Sequence, residues 1–228
     1  MTIVETHRAV KLELDKSSAL ELPAFEPEEI DYWINKAIGQ FVDGKYKMFE
    51  ETQEITEALK TLITNSIIPI TQVSILRPNF YLASLSALTT YRYMLSEEAD
   101  IRYTDSVSAI VVTKRQGITE CTYESYRSHI DNPYSEYRLH YGEAKPLRLF
   151  RSTNVDLISD GNYSIVNYVI VYIKNPATVS LSSNISCDLP TFTHSRIVDL
   201  TASMLLENIE SNRAQSFEQK RQAQKMET

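Results

Sequence analysis

The chain has 228 residues, 43% of them apolar, and its 23 basic and 30 acidic side chains leave a net charge of −7. That is enough chain for one packed core, and a mean hydropathy of −0.27 argues against a membrane-embedded protein. The longest nearly unbroken apolar stretch, Ile165 to Ile173, is about half of what a spanning helix needs, and 5 Gly beside 14 Tyr leave little glycine for phosphate-cradling loops.

The acid is concentrated at the front: residues 1–70 carry 7 basic and 13 acidic side chains, residues 71–190 carry 11 and 12, and residues 191–228 carry 5 and 5. A close grip on nucleic acid needs a dense basic face, and none is present. The first residues lack the basic-then-apolar run of a signal peptide, so folding in a reducing cytosol is expected, with Cys121 and Cys187 as buried, unpaired thiols.

Residues 1–25 contain the alternation Val10-Lys-Leu-Glu-Leu14, which predicts an edge strand or extended arm. Pro27, followed by Glu28, Glu29 and Asp31, opens a helix whose stripe is Ile30, Trp33, Ile34, Ala37, Ile38 and Phe41, with Gly44 as its stop. A second helix is expected from about Lys47 to Thr64, with Met48, Thr52, Ile55, Leu59 and Leu62 along its seam. Residues 26–70 thus read as an antiparallel helical hairpin with an acidic outer face.

After Pro69 the pattern becomes β. Strands are expected at Val73–Arg77, Asn79–Leu85, Thr89–Leu95, Ser108–Lys114, Pro146–Arg151, Val155–Ser159 and Ser164–Ile173. Asp160-Gly161 reads as a hairpin turn between the last two. Pro190 closes the β region of residues 71–190, and Thr193 is expected to cap a helix over residues 191–211 with Ile197, Leu200, Met204, Leu205, Asn208 and Ile209 buried. Residues 212–228 form a polar tail, with Phe217 and Met226 as its only large apolar side chains. The sum is one α+β domain over residues 1–228: a small helical bundle from both ends, an inserted antiparallel sheet or sandwich, and extended terminal arms.

Most of the catalytic patterns fail on inspection. Gly39 to Lys45 has the spacing of a phosphate-binding loop, yet Tyr46 stands where Ser or Thr should bind magnesium, and Gly39 lies within a helical stripe. His7, His129, His140 and His194 show no metal-ligand spacing with either cysteine. No Gly-x-Ser-x-Gly elbow occurs, and Asp156 and Asp160 bracket a turn where acids are common for backbone reasons. No catalytic residue, cofactor or metal is therefore expected.

The chemically distinctive patch is Tyr123, Tyr126, Tyr134, Tyr137 and Tyr141, mixed with Arg127, Arg138 and His129. It fits a stacking platform for single-stranded nucleic acid. The accompanying Glu120, Glu124, Asp131, Glu136 and Glu143 favour instead two strands joined at Asp131-Asn-Pro133, with tyrosines packed on neighbouring strands or a neighbouring subunit. Truncation of Tyr137 is then expected to disturb assembly.

Toward the carboxyl end, the run Gly161 to Pro176, then Cys187-Asp-Leu-Pro190, Thr193-His-Ser-Arg-Ile-Val-Asp-Leu200 and Leu206-Glu-Asn-Ile-Glu-Ser211, resembles tailed-phage head-to-tail connectors, in particular the neck ring proteins of crAss-like phages. Glu29 to Ile34 (Glu-Ile-Asp-Tyr-Trp-Ile) resembles the opening helix of such proteins. The likeness covers roughly residues 26–70 and 160–212. It implies a non-enzymatic virion protein, assembled in the host cytoplasm, of which about twelve copies form a ring on the portal or an adjacent ring, with DNA passing through the bore unbound. Contacts are then expected through Tyr123, Tyr126, Tyr137, Tyr141, Tyr172, Lys174, Asp199 and Phe217. A tail accessory or receptor-binding protein is the alternative, because tyrosine-rich β regions also serve recognition.

Overall fold

The computed structural model describes residues 1–17, 25–70, 72–73, 79–105, 108–151 and 154–209. Phe217, the tail of residues 212–228 and most of the strand expected at Val73–Arg77 lie outside the described residues. The chain is α+β, and it divides into two compact units where the sequence suggested one domain: Met1–Leu62 with the chain from Pro176 onward, and Ile63–Asn175.

The first unit is helical. Its amino end is not an extended arm but a helix, α1 (Ile3–Ser17). Ile3, His7, Val10 and Leu14 are buried at spacings of four, three and four, so the alternation of Val10 to Leu14 is part of a helical stripe. Thr2 and Glu5 close a capping box: Glu5 N donates to Thr2 Oγ1 at 3.3 Å and Thr2 N to Glu5 Oε2 at 2.9 Å.

Helix α2 (Pro27–Tyr46) begins at its proline, and Ile30, Ile34, Ala37, Ile38, Phe41 and Val42 are buried. The expected second helix is cut at both ends. Residues 47–51 turn, with Glu50 at φ 67°, and α3 (Gln53–Leu59) starts where Thr52 accepts the Ile55 N–H. A 3₁₀ turn (Lys60–Leu62) leads into strand β1 (Ile63–Pro69), whose β-branched residues end the hairpin reading. Ile55, Leu59 and Leu62 are buried as the seam requires, whereas Met48 is exposed.

Helix α5, over residues 194–209, completes this unit. It buries Ile197, Val198, Ala202, Met204, Leu205 and Ile209. Thr193 does not cap it; its hydroxyl donates to Pro190 O at 2.7 Å and closes a preceding 3₁₀ turn. The segment before it is tied to α2 by Asn35, whose side chain accepts the Val179 N–H at 2.8 Å and donates to Val179 O at 2.9 Å. Asp31 adds a second tie, bonded to Leu181 N at 2.9 Å and His7 Nε2 at 2.7 Å.

The second unit holds two sheets. One runs β1–β9–β4–β5, built from β1, β9 (Ser164–Lys174), β4 (Tyr91–Thr104) and β5 (Val111–Gly117), all antiparallel. The other runs β2–β3–β8–β7–β6, from β2 (Gln72–Val73), β3 (Phe80–Ser84), β8 (Asn154–Ile158), β7 (Leu147–Arg151) and β6 (Thr119–Glu120), and only β6 and β7 are parallel. Ala83, Val155 and Leu157 from one sheet share a core with Ala99, Ile101, Tyr168 and Ile170 from the other. The sheets therefore pack face to face as a sandwich.

Two β expectations change. Asp160-Gly161 is a turn, with Gly161 at φ 90°, but β8 and β9 belong to different sheets, so it carries the chain from sheet to sheet. The hairpin is β7–β8. The segment around Asp131-Asn-Pro133 is not a strand pair either: it contains a short helix, α4 (Tyr126–Asp131), followed by turns and a single bridge between His140 and Glu143.

Candidate interaction surface

The segment from Cys121 to Lys145 is built from local hydrogen bonds rather than ladders. Asn132 Oδ1 accepts the Tyr134 N–H at 2.9 Å, an Asx turn, and Arg138 reaches back to Ile130 O at 2.7 Å and Asn132 O at 3.1 Å, placing a cation at the carbonyl end of α4. Asp160 pins the segment from outside, accepting Leu139 N at 2.9 Å with one oxygen and Asn162 N at 2.9 Å with the other. The pairing of Asp156 is separate: it is buried and bonded to Arg151 at 2.8 Å.

The sequence-predicted tyrosines do not act as one cluster. Tyr137 is 4% exposed and packs with Phe80, Leu147, Leu149 and Ile158. Its carbonyl accepts the buried Tyr163 hydroxyl at 2.8 Å. Truncating it would open a core, so of the two packings that the sequence allowed for Tyr137 the one on neighbouring strands is present within the chain. Burial pushes both Tyr137 and Tyr163 above the ordinary phenol range.

Tyr126 is partly buried edge-on to Phe80, their rings 6.1 Å apart. Tyr172 is likewise core, 5% exposed, with its ring 5.7 Å from Tyr91. Lys174 forms the last rung of β9 opposite Tyr91 and is half-buried. Asp199 is exposed on α5, on the side away from the buried stripe. Tyr123 is exposed, with its hydroxyl tied to Phe150 O at 3.1 Å.

Tyr141 differs from all of these, because it is fully exposed and its φ is 52°. With Gly142 at φ 79° it forms a tight turn between His140 and Glu143, which exchange N–H···O bonds of 2.9 and 3.0 Å. Two positive φ angles mark a type I′ turn, where Asn-Gly is the usual pair. Tyr134, 89% exposed, lines the same open groove of about 630 Å³ as Tyr141, and Gln116, Glu136, Arg138, His140, Glu143 and Lys145 supply its polar wall. Glu136 is paired with Lys145 at 2.8 Å and Glu143 with Lys114 at 3.0 Å. The lysine beside Glu136 holds that carboxyl below the usual range.

One cluster escaped sequence reasoning altogether. Arg148, 5% exposed on β7, places Nη1 at 2.6 Å from Glu97 on β4 and Nη2 at 2.8 Å from Glu120, with its guanidinium 4.2 Å over the Phe150 ring. Tyr168 on β9 donates to Glu97 at 2.8 Å. This polar joint links the two sheets.

Cys121 and Cys187 are free and partly buried, and burial pushes both thiols up. Among the described residues, no His, Cys, Asp and Glu side chains converge as a metal site, and no helix is long and apolar enough to cross a membrane. Neither a protein-family model nor a curated protein matches the chain.

Proposed function

We propose that the chain is a structural protein of a tailed-phage neck, forming a closed ring of about twelve copies between portal and tail through which the genome passes. The observation that carries this reading is the two-ended architecture: the helical unit takes its elements from both ends of the chain, with the β unit inserted between Leu62 and Pro176. The resemblance to neck ring proteins covers residues 26–70 and 160–212, which hold α2, α3, β1, β9 and α5 but not α1. Charge placement supports it as well, since an acidic helical front and a near-neutral sheet do not retain passing DNA. Exposed Asp199 on α5 and exposed Tyr123 and Tyr141 on the β unit remain available for contacts between copies. The ring is assembled in the host cytoplasm and resides in the virion.

Mass measurement of the purified chain, alone and mixed with a portal ring, tests this. A closed oligomer, or one that forms when portal is added, is the expected result; a chain that stays monomeric in both samples refutes it.

A further inference from the structure

We propose that copies of this chain join through the edges of the β1–β9–β4–β5 sheet, β5 of one copy pairing antiparallel with β1 of the next. The inference rests on the ring reading and names the contact that closes the ring. Among the described residues, no strand pairs with the outer side of β1 or of β5. β5 is also little covered on either face, with Val111, Thr113, Lys114, Arg115 and Gly117 exposed. Open edges of this kind offer unpaired N–H and C=O groups to another strand.

The topology selects a second copy as the occupant. Every pairing in this sheet is antiparallel, so across its four strands β1 and β5 run in opposite directions. A neighbour related by a small rotation therefore presents its β1 antiparallel to β5, and the alternation continues from copy to copy. The two strands are each 7 residues long. Their backbones are also in phase. Ile70 N donates to Val166 O and Asp105 N to Ile110 O, one step beyond each ladder, and antiparallel bonds alternate. Ile63, Asn65 and Ile67 on β1, and Val111, Thr113 and Arg115 on β5, thus turn their N–H and C=O groups outward. The side chains of all six lie on the face opposite to that of the core residues Ile68, Ile101 and Tyr168. Setting Val111 opposite Ile67 covers two apolar side chains that are 61% and 58% exposed, and carries Pro69, which has no N–H, past the end of β5. No like charges meet, because β1 carries none, while Lys114 and Arg115 keep Glu143 at 3.0 Å and Asp100 at 2.9 Å in their own copy. Full-length pairing of β5 with itself would set Lys114 against Lys114 and stop at a dimer with β1 still open. The head-to-tail contact instead repeats until rotation closes it.

Cross-linking of the full chain under the conditions where it oligomerises, alone or with a portal ring, tests this. Within one copy, positions 67 and 111 lie on opposite edges of the sheet, at least three strand spacings or roughly 14 Å apart. Ile67→Cys combined with Val111→Cys should therefore give, on mild oxidation, a ladder of covalent multimers on a non-reducing gel, while each single variant gives no more than the unmodified chain with its native Cys121 and Cys187. Thr113→Pro removes an N–H that the ladder with β4 does not use, so it should keep a cooperative thermal melt and lose the oligomer. If that variant fails to fold, the ladder of the double variant decides. A chain that forms a closed oligomer but gives no ladder, or whose folded Thr113→Pro variant still assembles, overturns the edge pairing and leaves the ring standing. Cross-linking of either single variant to itself or to the portal overturns it as well, in favour of a two-fold or a foreign strand. A chain that stays monomeric with portal present overturns the ring and the edge pairing together.

Discussion

Arg148→Met tests the joint between the sheets. The substitution keeps length and apolar stem but removes the cation that faces Glu97 at 2.6 Å and Glu120 at 2.8 Å. Glu120 is 75% exposed and returns to water at little cost. Glu97 is different, because its side chain is 9% exposed and would keep only the Tyr168 hydroxyl. Leaving a buried carboxylate without its cation costs about 3–5 kcal/mol, a large share of the roughly 5–15 kcal/mol that stabilises an ordinary protein.

The pH dependence identifies the cause. Burial already pushes Glu97 above the ordinary glutamate value of 4.5, with Arg148 pulling the other way and Glu120 adding to the rise. Without Arg148 the rise grows. Above 4.5 the folded state then holds a proton that the unfolded chain has released, so stability falls as pH rises until Glu97 ionises in both states. The deficit of Arg148→Met, read by urea unfolding followed by circular dichroism, should therefore be full near neutrality and shrink on acidification toward that value. Adding Glu97→Gln should recover about half of it, since the amide can still bond Tyr168 without bringing charge. A deficit that is small, or the same at every pH, would refute the argument.

Asp100 gives the opposite sign. Its bond from Arg115 Nε at 2.9 Å, assisted by Asn167 Nδ2 at 2.9 Å, holds the carboxyl below the ordinary value of 3.8. The stability it contributes is present above 3.8 and is lost as pH falls through the depressed value, so Asp100→Asn should flatten the acid end of the stability profile; an unchanged acid limb speaks against it. Leu205→Glu should cost about 4 kcal/mol or more, because Leu205 is fully buried on α5 and the carboxylate would have no partner there; a normal thermal melt would show the stripe to be misassigned.

How much of this was legible depends on how local the signal is. Helix α2 announces itself with Pro27 and its apolar stripe, β9 with its β-branched run, and β7 and β8 with short stretches of large apolar residues. Helix α1 was missed because Val10 to Leu14 fits period two as well as a four-residue helical step; the capping box of Thr2 and Glu5 was the signal that separates them. The Asp160-Gly161 turn was read correctly as a turn, yet turn chemistry does not say which sheet the next strand joins. Tyr134 to Tyr141 alternates like a strand, but Asn132, Arg138 and Asp160 satisfy that backbone through side chains. The Glu97–Arg148 joint pairs residues far apart in the chain, and no spacing rule encodes it.

Tyr172, Lys174 and Pro176 have a physical role at the boundary of the insertion. Tyr172 anchors the end of β9 in the core, Lys174 makes the last rung, and Asn175 N reaches Thr90 O at 2.6 Å. Pro176 then has no N–H to offer, so the ladder must stop. At the other boundary, Ile63 pairs with Ile173. The β unit thus leaves and rejoins the helical unit through adjacent antiparallel strands, and closing a long excursion adds little entropic cost when its own strands hold the ends together. Such an insertion can change its exposed loops, Tyr141 included, without altering how the chain re-enters the helical unit.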